Sequence, residues 1–276
     1  MEYVILSNGV KMPRIGYGTY KVPDKETILE AIKVGYRLID TAQVYQTEIN
    51  VGNAIKESGI PREEFFIVTK LRFRNHEDPI PLLEESFKKL QTNYIDLVLI
   101  HWPYGNYYHA YKVLEKYYKE GRIKAIGVSN FDPGRLIDLW QNAEIKPMVD
   151  QIEANVYAQR FKEFDCFEKY NVRTMAYAPL GHGSMPEILE EPLIKSLAEK
   201  YHKSPAQICL KYLYQRGFVI IPKSSNPKRI KENFEIFDFI LSDEDMEEIK
   251  KIDKKSPCLG KAESMEIAEK MYAKIE

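Results

Sequence analysis

A chain of 276 residues, 44% apolar and 29% charged, has an ordinary globular balance and ample length for a sizeable core. Forty basic residues against 41 acidic ones leave a net charge of −1, so there is no electrostatic footprint for nucleic acid or for an anionic membrane surface. Cys166, Cys209 and Cys258 are scattered and never form a CxxC pair, which argues against disulfides and a zinc site and for a reducing, cytoplasmic setting.

The N-terminal stretch MEYVILSNGVKMPRIG lacks the basic and apolar regions of a signal peptide, and no apolar run approaches the length of a membrane span. Residues 3–12 read as a hairpin around Ser7-Asn8-Gly9, because Asn-Gly is the strongest short turn signal. A strand over 14–20 follows. Asp24 caps a helix from Lys25 to Lys33 with Ile28, Leu29 and Ile32 on its apolar side, and Gly35 ends it.

Strands and helices then alternate. Strands are expected over 38–42, 65–71, 94–102, 125–130, 148–155, 173–179 and 218–224. Helices follow them near 47–58, 79–91, 107–120, 133–142, 160–169, then 190–201 with 205–216, and 227–236. A further helix near 243–253 opens in the acidic run SDEDMEE, and a C-terminal tail carries an apolar stripe of Met265, Ile267, Met271, Tyr272 and Ile275.

Continuous apolar runs such as LVLI suit parallel strands buried on both faces, and helices supply the crossovers that parallel pairing requires. Eight such units predict an α/β fold, a (β/α)8 TIM barrel with an N-terminal β-hairpin cap and a C-terminal tail, as one domain over 1–276. An open doubly wound sheet is the second reading; it usually has fewer strands, and no GxGxxG turn is present.

In such a barrel chemistry sits at the C-terminal strand ends. The second strand ends in Asp40-Thr41, the third in Thr69-Lys70 and the fourth in His101-Trp102, with Tyr45 five positions past Asp40. Adjacent strands lie ~4.7–4.9 Å apart, so these side chains can meet. A cation beside a phenol lowers its pKa from about 10, and Lys70, held by Asp40, is placed to act so on Tyr45. The set suits protonation of a carbonyl oxygen, with His101 holding that oxygen; no side chain is a hydride source, so a cofactor is implied. Taken singly, a buried Asp–Lys pair, one His or one of 19 tyrosines is more often structural.

The blocks GYRLIDTAQVY (35–45), VTKL (68–71), YIDLVLIHWP (94–103), GRIKAIGVSNF (121–131), AYAPLG (176–181) and IPKSSNPKRIKENF (221–234) occur in order. Together they resemble the aldo-keto reductases, βα barrels that reduce carbonyls with a nicotinamide cofactor; the likeness runs from about Leu6 to Ile252. The resemblance implies Tyr45 as general acid, tuned by Lys70 with Asp40, and His101 as the group that orients the carbonyl. It implies Ser129, Asn130 and Gln151 on the nicotinamide carboxamide and Tyr177 stacked on the ring. Thr19 and Asp40 fall beside the ribose, and Ala178 and Leu180 over the pyrophosphate. Lys223, Ser224 and Arg229 fall at the adenosine 2′-phosphate, and Glu232 and Asn233 at the adenine. NADPH is therefore expected ahead of NADH. Read alone, Lys223 and Arg229 are a solvated basic face.

Trp102 is expected as a wall of the substrate pocket, with Tyr20 facing it. No metal site is expected, because the histidines lack spaced partners. The partner is a small carbonyl substrate, with no nucleic acid or membrane, and the chain is expected to be a monomer or weak dimer. Ala154-Asn155-Val156 and Arg72 depart from the family pattern, which often has His-Pro and Trp there, as does the tail; the resemblance therefore implies the reaction and not the substrate. A cofactor-binding relative without catalysis, or an unrelated barrel hydrolase or isomerase, are the other readings. The intact four-residue set argues against the first, and the lack of metal ligands or a carboxylate pair at the strand ends against the second.

Overall fold

The structure is a computed structural model that describes residues 2–183, 185–260, 262 and 264–273. An antiparallel hairpin, β1 (Tyr3–Ile5) and β2 (Lys11–Pro13), precedes the barrel strands and their helices. These are β3 (Gly16–Gly18), α1 (Lys25–Val34), β4 (Leu38–Asp40), α2 (Glu48–Ser58), β5 (Phe66–Leu71), α3 (Ile80–Leu90), β6 (Ile95–Ile100) and α4 (Tyr107–Lys119). They continue as β7 (Ile123–Ser129), α5 (Pro133–Asn142), β8 (Val149–Glu153), α6 (Phe161–Lys169), β9 (Arg173–Tyr177), α7 (Glu187–Glu190), α8 (Pro192–Tyr201), α9 (Pro205–Gln215) and β10 (Val219–Ile221). Helices α10 (Pro227–Phe234), α11 (Asp243–Lys250) and α12 (Met265–Ala273) complete the chain.

Strands β3 to β10 pair in sequence order and in parallel. The ring closes where Ile220 N donates to Arg14 O at 3.0 Å and Gly18 N donates to Pro222 O at 3.1 Å. The expected barrel and hairpin are therefore present. The outer strands are shorter than their apolar runs suggest: β10 stops before Pro222, which has no amide proton for the ladder. The short helix α7 has no counterpart in the sequence reading; α8 starts afresh with Pro192 at its first position.

Alternation along each strand decides what fills the barrel. Leu38, Phe66, Val68, Leu97, Leu99, Ala125, Val149, Met175, Val219 and Ile221 face inward as one buried cluster, with Leu6 and Met12 of the hairpin region joining it. Ile39, Ile67, Val98, Ile126, Ile152 and Ala176 face outward into the larger cluster beneath the helices. At the top of each inward row the side chains turn polar: Asp40, Lys70, His101, Ser129, Gln151 and Tyr177.

The tail lies on the barrel mouth. Tyr104 Oη donates to Ala262 O at 2.6 Å, and Arg74 Nη2 donates to Met271 O at 3.2 Å. Tyr272 Oη accepts the Gly105 amide at 3.1 Å. Ile267 and Met271 of the expected stripe line the cavity beneath, whereas Met265 is 67% exposed, and Ile275 lies outside the described residues. Among the described residues no helix is long and apolar enough to cross a membrane.

Candidate active site

One cavity of about 1200 Å³ opens at the C-terminal strand ends. Asp40 stands at its floor, almost fully buried, and accepts Lys70 Nζ at both carboxylate oxygens, 2.7 and 2.8 Å away. The register explains how they meet. Asp40 pairs along the ladder with Val68, and Lys70 with Leu99, so each functional residue sits two positions above its neighbour's partner. Strand tilt in a barrel turns that offset into a common height, and the two-residue period keeps both side chains inward.

Lys70 is 0% exposed and lies behind the cavity wall. Its third proton goes to Thr41 O at 2.8 Å. Asp40 also accepts Gln151 Nε2 at 2.8 Å. A buried pair satisfied in this way is stable as a unit, while loss of either member leaves a bare charge and costs about 3–5 kcal/mol.

Tyr45 ends a 3-10 turn (Gln43–Tyr45) directly after β4. Gln43 fixes that turn: its Nε2 donates to Leu82 O and Ser86 Oγ at 3.1 and 3.0 Å, and its Oε1 accepts the Arg72 amide at 3.0 Å. The Tyr45 ring stands edge-on to His101 at 5.7 Å and to Tyr20 at 5.0 Å, with Lys70 Nζ 5.0 Å from its centroid. Asp40, Tyr45, Lys70 and His101 therefore converge as the sequence suggests.

The electrostatics differ from that expectation in one respect. Burial first, then the Asp40 charge, hold the Tyr45 phenol well above its ordinary range rather than below it. Lys70 does not reverse this: its charge is paired with the Asp40 carboxylate. Burial, then the Lys70 charge, push His101 well below the usual imidazole range. The floor thus presents a protonated phenol beside a neutral imidazole.

Ser129, Asn130 and Gln151 form the opposite side of the floor and are bonded to one another. Ser129 Oγ donates to Gln151 O at 2.8 Å, and Asn130 Nδ2 donates to Ser129 Oγ and to His101 O, both at 3.1 Å. Asn130 takes a left-handed backbone (φ 63°), and its Oδ1 accepts Tyr177 Oη at 2.8 Å. Tyr177, Ala178 and Leu180 line the next stretch of wall, and Lys223, Ser224 and Arg229 the stretch beyond. Asn226 caps α10 there through the Lys228 and Arg229 amides. Burial, then the nearby Lys21 charge, hold Lys223 below its ordinary range. Among the described residues neither Lys223 nor Arg229 has an ion-pair partner.

Three expected cofactor contacts are not on this wall. Thr19 is fully buried and bonded to Asp40 O and Thr47 Oγ1, both at 2.9 Å, so it braces the floor from beneath. Asn233 is buried on the inner side of α10, and Glu232 turns to Ser204 of the α9 cap. Tyr20 and Trp102 do line the cavity, but Tyr20 leans on Tyr45 and His182, and Trp102 stacks on Tyr104 with rings 9° apart.

Some residues that shape the site gave no local signal in the sequence. Glu153, buried at the end of β8, accepts the backbone amides of Cys258 and Leu259 at 2.5 and 2.9 Å and so holds the tail over the mouth. Arg72, Arg74 and Lys270 also line the cavity. Arg72 stood out in the sequence only as a departure from the family pattern, and nothing marked it as facing the same space as α12.

Comparison with known proteins gives matches over nearly the whole chain. The Aldo/keto reductase family profile matches residues 14–254. A glyoxal reductase of Bacillus subtilis is 43% identical over 260 residues, covering 92% of this chain and 93% of its own. The crystal structure of an aldo-keto reductase from a Medee basin deep-sea metagenome library superposes with a TM-score of 0.93 at 40% identity, covering 95% and 99% of the two chains. A Bombyx mori aldo-keto reductase, solved in complex with NADP, superposes with a TM-score of 0.87 at 34% identity, covering 95% of each chain.

Proposed function

The chain belongs to the aldo/keto reductase family, and on that footing we propose that it reduces aldehydes or ketones to alcohols with NADPH. One observation carries the reading: at the floor of a cavity large enough for a cofactor and a small substrate, a phenol kept protonated by burial stands beside a neutral imidazole. When bound, the reduced nicotinamide supplies the hydride, which no side chain here can. Tyr45 Oη donates its proton to the carbonyl oxygen as the carbon is reduced. A raised phenol pKa is no obstacle, because a forming alkoxide is a far stronger base than a phenolate. His101, neutral, is free to hydrogen-bond the same oxygen without competing for that proton.

Lys70 and Asp40 act as positioning residues: the closed ion pair holds a net-neutral, rigid platform under the phenol. Ser129, Asn130 and Gln151 present polar atoms for a carboxamide, and Tyr177 a ring for stacking. The unpaired Lys223 and Arg229, beside Ser224 at the capped start of α10, suit a monoester phosphate, which favours NADPH over NADH. A cytoplasmic setting and a monomer or weak dimer belong to the same proposal.

The test is a Tyr45→Phe variant assayed with NADPH and a reactive aromatic aldehyde. Reduction should fall at least ~100-fold, the lower range for loss of a general acid, while NADPH affinity stays within about twofold. An unchanged rate removes Tyr45 as the proton donor. A wild-type protein that binds NADPH tightly yet oxidises it with no aldehyde is a sensor rather than a reductase.

A further inference from the structure

The segment from Pro222 into α10 is held from behind by two tyrosines near the start of the barrel. Tyr17 of β3 is 1% exposed, and its Oη donates to Ser224 O at 2.6 Å. Its ring stands 5.6 Å from Tyr36, which packs on Phe234 of α10 at 4.7 Å and donates to Ile230 O at 3.3 Å. Strand β3 comes this near because it closes the ring: Gly18 N donates to Pro222 O, and a Cβ on Gly18 would meet Lys223 Cβ at 3.5 Å. The Tyr17 ring fills the apolar layer beneath the helices, which a phenylalanine would fill as well. Its hydroxyl makes this bond and no other among the described residues. Burial, then the Asp24 charge, hold the phenol above its ordinary range, so it remains a donor.

That one bond orients a whole peptide unit. A trans peptide points its C=O and N–H in opposite directions, and no peptide among the described residues is cis. With Ser224 O turned toward Tyr17, the Ser225 amide points away from it. Ser225 lines the cavity together with Lys223, Ser224 and Arg229, and among the described residues its amide has no acceptor. Ser224 Oγ accepts the Asn226 amide at 3.1 Å and ties the same turn to the cap of α10. An amide facing an anion attracts it, while a carbonyl oxygen in its place repels it. Turning this peptide over would exchange the one for the other, and it would leave the Tyr17 hydroxyl and the Ser224 carbonyl without each other.

We propose that Tyr17 is a positioning residue for cofactor choice: through Ser224 O it keeps the Ser225 amide turned to the cavity, and so favours a nucleotide 2′-phosphate over a bare 2′-hydroxyl. The inference rests on the reading of this end of the cavity as the phosphate end of NADPH. Tyr17 stands behind the cavity wall and touches neither cofactor nor substrate.

Tyr17→Phe keeps the ring and removes only the hydroxyl. Titration calorimetry of wild type and variant with 2′,5′-ADP and with 5′-AMP tests the proposal without turnover. Wild type should bind 2′,5′-ADP the more tightly. The variant should lose at least ~fivefold of that preference, part of the worth of one hydrogen bond to a charged group, while its 5′-AMP affinity stays within twofold and reports an intact fold. With NADPH and an aldehyde, the KM for NADPH should rise while kcat and the KM for the aldehyde hold. Tyr36→Phe takes a hydroxyl from the same stack, but from a carbonyl that the α10 ladder also serves, so it should leave the preference unchanged. A smaller loss in Tyr17→Phe, an equal loss for both nucleotides, or the same loss in Tyr36→Phe overturns the proposal and leaves the NADPH reading standing. A wild-type protein that binds the two nucleotides equally overturns the phosphate reading and the proposal together.

Discussion

Asp150 is the residue whose surroundings fit its charge least. It lies on β8 between the inward-facing Val149 and Gln151, so it points into the apolar layer beneath the helices. It is 0% exposed, neither carboxylate oxygen makes a hydrogen bond, and the Thr174 hydroxyl on the paired strand is equally unpartnered. Burial drives its pKa well above the ordinary range, against a weaker favourable influence from the Phe131 amide. The folded protein therefore holds a proton there more tightly than the unfolded chain. The stability tied to Asp150 is fully present below the unfolded value of ~3.9 and is lost as pH rises through the folded one. Asp150→Asn removes the ionisable group, so at pH 7 it should stabilise the fold by about 1–3 kcal/mol. The gain should shrink as pH falls toward 4, which denaturant melts at the two pH values will read. A variant less stable than wild type at pH 7 contradicts this account. Asp40, by contrast, was legible from sequence as a carboxylate in need of a partner, and Lys70 answers it. The direction of the Tyr45 pKa was not legible, because it depends first on how deeply the fold buries the phenol and then on the Asp40 charge beside it.

Among the helices, Gly52 shows why propensity misleads. It sits inside α2, where glycine is about 1 kcal/mol worse than alanine. A Cβ at that position would stand 2.6 Å from Lys89 O and 2.9 Å from the Leu90 backbone, at the end of α3. Those atoms are main chain, so they cannot step aside. Gly52→Ala should therefore destabilise by about 1–3 kcal/mol, the usual cost of overpacking, despite the better helix former. A thermal melt shifted upward would show that α2 and α3 separate freely. The helices themselves were readable from their apolar spacing and their stops, such as Asp24 and Gly35 around α1. The close approach of α2 to α3 was not, since a sequence pattern reports which face is apolar and not how near its neighbour comes. The α7–α8 break was missed for a related reason: Glu191 and Pro192 continue the composition of the segment while ending its hydrogen-bond ladder.

Across the whole molecule, the succession of continuous apolar runs and helices carried the sequence reading furthest. It predicted eight buried strands and the polar residues at their upper ends, and the barrel's tilt brings those residues level. The tail was legible as an amphipathic helix and no more, because its stripe fits any apolar surface. Its place over the mouth comes from contacts scattered over some hundred residues of sequence, Glu153 with Cys258 and Leu259 foremost. That attachment ties the tail's opening to a penalty inside the barrel: releasing it strips a nearly inaccessible carboxylate of both amide donors at once. Isotope exchange should see this as a single event. The amide hydrogens of Cys258 and Leu259 should trade with deuterium at one shared rate, although a flexible strap would let them go separately. Glu153→Ala should quicken both by at least tenfold while leaving the amides of α1 at their former pace. Unequal acceleration of the two would mean that the strap comes away from the barrel in stages.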